Sequence, residues 1–153
     1  MSARTPASSS SGSGAVLGRI HHVAYVVADI DAALERLGAT FALRPAIREV
    51  MADQGVEAAL CGPAGGAVEL IRPLDPEGAV ARFLESHGEG LHHVAFEVDD
   101  LDAALADLRE RGVELIDERP RSGLGGHLVA FVHPRSANGV LTELVEAEGG
   151  GAH

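Results

Sequence analysis

Residues 21–37 read HHVAYVVADIDAALERL, and residues 92–108 read HHVAFEVDDLDAALADL. The two stretches are offset by 71 residues, and in each an HHVA tetrad precedes an aspartate-rich turn and an alanine- and leucine-rich helical pattern. A second echo lies further on, where residues 67–71, AVELI, match residues 141–145, LTELV, and set Glu69 against Glu143 at an offset of 74. Self-similarity of this kind marks a chain built from two copies of one supersecondary unit. Each copy offers one histidine and one glutamate at equivalent places, so function is expected where the copies meet.

Within each copy the residue types predict the local structure. Residues 20–27 have the β-branched and aromatic content of a strand, whose alternation puts Val23, Tyr25 and Val27 on one face and His22, Ala24 and Val26 on the other. Asp29 or Asp31 can cap a helix over residues 30–37, with Gly38 placed to end it. Short extended runs follow at 41–50, 55–60 and 67–71, separated by turn residues, which gives the order βαβββ. The second copy repeats this order with a strand over 91–98, a helix over 101–111 behind Asp100, and strands over 113–117, 128–133 and 140–146. Residues 119–127, RPRSGLGGH, read as a mobile loop able to close over a ligand. Between the copies, residues 77–87 have helical spacing through Val80, Phe83 and Leu84.

The expected organisation is therefore one α+β domain over residues 16–148, made of modules 16–73 and 90–148 joined by a linker helix at 77–87, with disordered tails at 1–15 and 149–153. At 153 residues the halves are each too small to bury a core alone and must share one. Aromatics make up only 3% of the chain, so that core falls to Val, Leu, Ile and Ala. The net charge of −11, with no lysine at all, excludes a nucleic-acid surface, because no basic stripe is present to neutralise phosphates. No run approaches the roughly 20 apolar residues that a membrane span needs, and residues 1–15 lack the apolar centre of a secretory signal. Cys61 is the only cysteine, so no intrachain disulfide exists and a reducing, cytoplasmic setting is expected.

His22 and His93 share their strand faces with Ala24 and Val26 and with Ala95 and Glu97, opposite the more apolar faces expected to pack on helices. His21 and His92 then fall on the helix side. The plain alternative for any one such histidine is a hydrogen-bonded structural residue, and for Glu69 or Glu143 alone a solvent-facing edge strand. Duplication argues against both. An ionised carboxylate inside an apolar strand costs several kcal/mol unless paired or metal-bound, and two imidazoles with two carboxylates are an ordinary donor set for a divalent ion. His87, His127, His133 and His153 have no such partners and read as surface or loop residues.

With its duplicated βαβββ plan and one His and one Glu per half, the chain resembles the vicinal oxygen chelate superfamily, to which glyoxalases and bleomycin-resistance proteins belong. Residues 53–56 (DQGV), 88–94 (GEGLHHV), 118–121 (ERPR), 133–135 (HPR) and 139–144 (GVLTEL) are similar to the methylmalonyl-CoA epimerases, over nearly all of residues 19–146. The resemblance implies a curved mixed sheet around a divalent metal held by His22, Glu69, His93 and Glu143, with cobalt foremost among cobalt, nickel, manganese, zinc and magnesium. It also implies a homodimer, an acyl-CoA thioester substrate, a place in propionate metabolism, and epimerisation of methylmalonyl-CoA through a metal-stabilised enolate.

Inverting a carbon centre requires one group to take a proton from one face and another to return it on the opposite face. Glu143 is one candidate. In some members of the family the second is a glutamate three residues after the glycine of the Gln-Gly-Val stretch, but that position here is Ala58, and Glu57 lies one residue earlier. One step along a strand reverses the face, so either a bulge returns Glu57 to the site or another group or a water takes that role. The alternative activities are a glyoxalase I type lactoylglutathione lyase and a binding protein of the same fold that sequesters small molecules; the complete set of four donors counts against the latter.

Overall fold

The structure, a computed structural model, describes residues 16–63 and 65–148; the expected tails at 1–15 and 149–153, and His153, lie outside the described residues. The element order is β1 (Ile20–Val26), α1 (Ile30–Phe41), β2 (Pro45–Met51), β3 (Val56–Cys61), β4 (Ala67–Pro73), α2 (Ala79–His87), β5 (Gly90–Val98), α3 (Leu101–Glu110), β6 (Arg121–Ser122), β7 (Leu128–Val132) and β8 (Thr142–Glu146). All eight strands form one curved mixed sheet in the order β2-β3-β4-β1-β5-β8-β7-β6. The first copy supplies one half of that order and the second copy the other. Each half carries one parallel pair, β1 with β4 and β5 with β8, and the halves join through antiparallel β1 and β5. The arrangement is two βαβββ modules related by a pseudo-two-fold axis between β1 and β5.

Helices α1 and α3 cover the convex face. Ile30, Ala33, Leu34 and Leu37 of α1 pack on Leu70, Ala59 and Cys61, and Leu101, Ala104 and Leu105 of α3 pack on Leu144, Ala130 and Val132. Each buried leucine or isoleucine contributes about 1.5–3 kcal/mol relative to exposure. Asp29 accepts a hydrogen bond from Ala32 N at 3.0 Å and Asp100 one from Ala103 N at 3.1 Å, so both helices begin at the expected aspartates.

Two expectations are corrected. Helix α1 does not stop at Gly38 but continues to Phe41, where Ala42 turns left-handed with φ 62° and its N–H reaches Gly38 O. Leu43 then donates to Leu37 O and packs against the helix, which anchors the later end. The expected strand over 113–117 is reduced to one bridge, Leu115 with Val132. Asp117 accounts for this: its Oδ2 takes Phe131 N–H at 2.8 Å, while Phe131 O accepts from the N–H groups of both Ile116 and Asp117. A side chain thus replaces one rung of the ladder.

Candidate metal centre

On β4 and β8 the concave face is reached by every second residue. Glu69 shares it with Ala67 and Ile71 on β4, and Glu143 shares it with Val145 on β8. In register, Ala24 stands opposite both Glu69 and His93, and Ala95 opposite both His22 and Glu143. Small alanines at these crossings leave room for four larger polar side chains to converge. His22, Glu69, His93 and Glu143 are between 3% and 8% exposed, and one ligand atom from each lies within 4.8 Å of the others.

The contacts inside the cluster are short. His22 Nε2 is 3.2 Å from Glu69 Oε1 and 3.1 Å from Glu143 Oε1. His93 Nε2 is 3.5 Å from Glu69 Oε1, 3.1 Å from Glu143 Oε1 and 3.4 Å from His22 Nε2. Nitrogen and oxygen donors that each lie about 2.1 Å from a common centre stand about 3.0–3.4 Å from one another, so the spacing suits a single cation. Electrostatics point the same way. Among the described residues no arginine pairs with either carboxylate, and two buried negative charges face only imidazoles. Burial would push the Glu143 carboxyl up, but hydrogen bonds from His22 and His93 overcome it and hold it at about 2; Glu69 is lowered against burial by the same partners. Burial disfavours charge on His22, yet Glu143 and Glu69 raise it to about 9, and His93 is raised in the same way. The donor set is chemically that of a divalent metal site.

Above the cluster opens a cavity of about 360 Å³. Its walls are mostly apolar, with Val56, Ala58, Ile71, Leu124 and Phe131 prominent, while Asp53, Gln54, His92 and Arg121 add polar groups and Val80 of α2 forms a side. Arg121 stands with its guanidinium carbon 5.7 Å from the centre of the Phe131 ring.

Several residues lie elsewhere than expected. Glu57, the expected second acid/base, does not enter this cavity. Strand β3 pairs with β4 without a register shift, Glu57 opposite Arg72 and Ala58 opposite Ile71, so no bulge intervenes and it is Ala58 that lines the cavity. The Glu57 carboxylate instead accepts from Arg48 Nε at 2.9 Å and Arg72 Nη2 at 3.1 Å, and Arg48 also binds Asp31 of α1, which keeps these four residues on the helix side. The Arg48 guanidinium, with Arg72, holds the Glu57 carboxyl below its ordinary range. His21 and His92 also depart from expectation: they lie against His22 and His93 rather than under the helices, because the β1–β5 pairing skips one residue at each. The loop at 119–127 is fastened, not free. Leu124 is buried against Ala58, Leu60 and Ala67, Gln54 Nε2 donates to Ser122 O, and Gly125 N–H donates to Glu49. His127 is likewise drawn in, its ring 5.5 Å from that of His21. The lining by Arg121, Asp53 and Val80 depends on how distant segments fold back, which no local pattern announces; the doubled histidine in both repeats was the visible signal for His21 and His92.

The Glyoxalase/Bleomycin resistance protein/Dioxygenase superfamily model matches residues 21–131. The chain is 34% identical over 149 residues to the mitochondrial methylmalonyl-CoA epimerase of Bos taurus, covering 94% of this chain and 85% of that one. It is 34% identical over 131 residues to the ethylmalonyl-CoA/methylmalonyl-CoA epimerase of Cereibacter sphaeroides, covering 84% and 98%. Among solved structures, a variant of the Streptomyces coelicolor methylmalonyl-CoA epimerase in complex with 2-nitronate-propionyl-CoA superposes with a TM-score of 0.82 at 36% identity, covering 86% of this chain and 99% of that one.

Proposed function

The chain belongs to the Glyoxalase/Bleomycin resistance protein/Dioxygenase superfamily, and from that premise we propose that it is a metal-dependent epimerase interconverting (R)- and (S)-methylmalonyl-CoA. The observation that carries this reading is the convergence of His22, Glu69, His93 and Glu143 beneath a cavity large enough for a small acyl group, in a chain similar along most of its length to epimerases of acyl-CoA thioesters. A divalent ion held by these four residues, cobalt foremost among cobalt, nickel, manganese, zinc and magnesium, would supply positive charge where the thioester oxygen gains electron density.

The remaining work falls to the chain. Glu143 takes the α-proton on one of its carboxylate oxygens. Glu57 is excluded from the opposite face by its pairing with Arg48 and Arg72. We assign the return of a proton from the other side to Glu69, the counterpart of Glu143 in the repeat. The apolar walls lower the local dielectric and so strengthen the charges they surround. Arg121, the arginine that lines the cavity, offers a counter-charge to an anionic acyl-CoA. The proposal extends to a single domain with modules at 16–73 and 90–148 and a linker helix at 77–87, to a homodimer, which sedimentation equilibrium tests, and to a cytoplasmic place in propionate metabolism.

The test of the reaction is to incubate metal-replete protein with one epimer of methylmalonyl-CoA in deuterated water, followed by chiral analysis and mass. Racemisation with deuterium at the exchanged carbon is expected. Intact stereochemistry without exchange defeats the reading, and turnover of a hemithioacetal in its place assigns a glyoxalase I type lyase.

A further inference from the structure

Each HHVA stretch brings two histidines to the concave face where one would provide a donor. His21 Nδ1 lies 2.8 Å from His22 Nδ1, and His92 Nδ1 lies 2.9 Å from His93 Nδ1. The paired rings meet edge to face, at 78° and 73°. An unbroken strand would send neighbouring side chains to opposite faces. Here the ladder skips a residue twice: Ile20 pairs with Phe96 and His22 with Ala95, passing over one neighbour, and Ala24 pairs with His93 while Tyr25 pairs with Leu91, which leaves His92 unpaired in the ladder. A bulge of this sort re-aims a side chain. Both interruptions fall at the same repeat position, and each sets a second imidazole behind the first.

Two ring nitrogens less than 3 Å apart share one proton, so one donates and the other accepts. The far ends of the rings decide which. His22 and His93 turn Nε2 toward Glu69 and Glu143, and an imidazole that gives its Nε2 lone pair to a cation carries its proton on Nδ1. His22 and His93 therefore donate from Nδ1, and His21 and His92 accept on Nδ1 and keep their own proton on Nε2.

We propose that His21 and His92 are positioning residues, a matched pair of acceptors that fix the tautomer and ring orientation of His22 and His93 for metal binding. The inference rests on reading the four-residue cluster as a metal centre. Outer partners of this kind are worth about 10–100-fold in metal affinity, and the carboxylates and carbonyls that usually fill the role are here replaced by imidazoles.

Two measurements test it. Long-range proton–nitrogen NMR of the zinc-loaded protein should find His22 and His93 protonated at Nδ1, and His21 and His92 at Nε2; a proton on Nδ1 of His21 or His92 overturns the proposal without any substitution. Competition with a chromophoric chelator then compares variants. His92→Phe fills the space without an acceptor and should bind zinc about 10–100-fold more weakly, with the thermal midpoint of the chelated protein little changed. His92→Asn, whose Oδ1 stands near the lost Nδ1, should recover most of that affinity. Zinc binding by His92→Phe equal to that of the unaltered protein defeats the positioning role alone, whereas failure of the unaltered protein to bind zinc removes the metal centre and this inference together.

Discussion

Glu69 and Glu143 are one residue written twice, and their chemistry can be separated by changing one at a time. Each shares hydrogen bonds with His22 and His93, so a Gln at either position keeps an oxygen donor and loses the ability to carry a proton together with one negative charge. With Glu143→Gln, one epimer should still exchange its α-proton for deuterium while interconversion falls by at least about 100-fold; with Glu69→Gln, the other epimer should be the one that exchanges. Exchange of the same epimer by both variants would place the two carboxylates on one side of the substrate. Glu57→Gln is the control, expected to leave turnover within about two-fold and to cost less than about 1 kcal/mol from a partly exposed ion-pair cluster, read by chemical denaturation. The pH dependence of metal uptake also belongs at this scale. His22 sits at about 9, above its ordinary 6.5, so at neutral pH a proton occupies the ring and must leave when a cation binds. Apparent zinc affinity should therefore rise with pH and level off above about 9, as measured by chelator competition across buffers. For the chelated protein the sign is opposite. A raised histidine contributes stability in full below about 6.5 and loses it as pH rises through about 9, while the lowered Glu143 contributes above about 4.5 and loses it as pH falls through about 2.

At the scale of elements, α1 tolerates a glycine where a stop was expected. Gly38 lies inside the helix, and a Cβ there would meet Leu43 O at 3.4 Å, an ordinary contact. Gly38→Ala should thus gain about 0.5–1 kcal/mol, seen as a thermal midpoint raised by roughly 2–4 °C at most for a chain of this size, with turnover unchanged. A midpoint that falls would mean the Leu43 carbonyl cannot give way. The elements that could be read from the sequence were those whose signals are local: strand alternation in β1 and β5, aspartate caps at Asp29 and Asp100, and the repeat that pairs Glu69 with Glu143. Those that could not be read depend on partners far along the chain. Gly38 carries the local mark of a stop, but Leu43 packing decides where the helix ends. Asp117 reads as part of a strand, but its carboxylate occupies the Phe131 N–H. Glycines at 123, 125 and 126 suggest freedom, but Leu124 and Glu49 fasten the loop. His21 and His92 follow simple alternation on paper and break it because each strand omits a rung.

The whole molecule pairs two incomplete halves through the antiparallel seam of β1 on β5 and through Leu124 of the second half, which seats on Ala58, Leu60 and Ala67 of the first, and each half provides two of the four inward donors. A cation bound there contacts both modules at once, so its binding free energy strengthens the seam as well as the site. At a free concentration 100 times its dissociation constant, a ligand that binds only the folded state adds about 2.7 kcal/mol, which for a chain of this length corresponds to a rise of roughly 5–11 °C in thermal midpoint. The increment, rather than the midpoint itself, isolates this effect, because replacing a buried histidine also disturbs the carboxylates it leaves behind. His22→Ala and His93→Ala, one in each module, should each abolish most of the increment, and His93→Ala should lose stoichiometric metal uptake in elemental analysis. The double variant should lose no more than either single one, since residues that act as a unit do not contribute additively. Two halves that each bound an ion on their own would behave otherwise: each single variant would keep about half the increment and only the double would lose it all. That additive pattern would show that the duplicated His and Glu serve two separate sites, and a single centre on the pseudo-two-fold axis would be untenable.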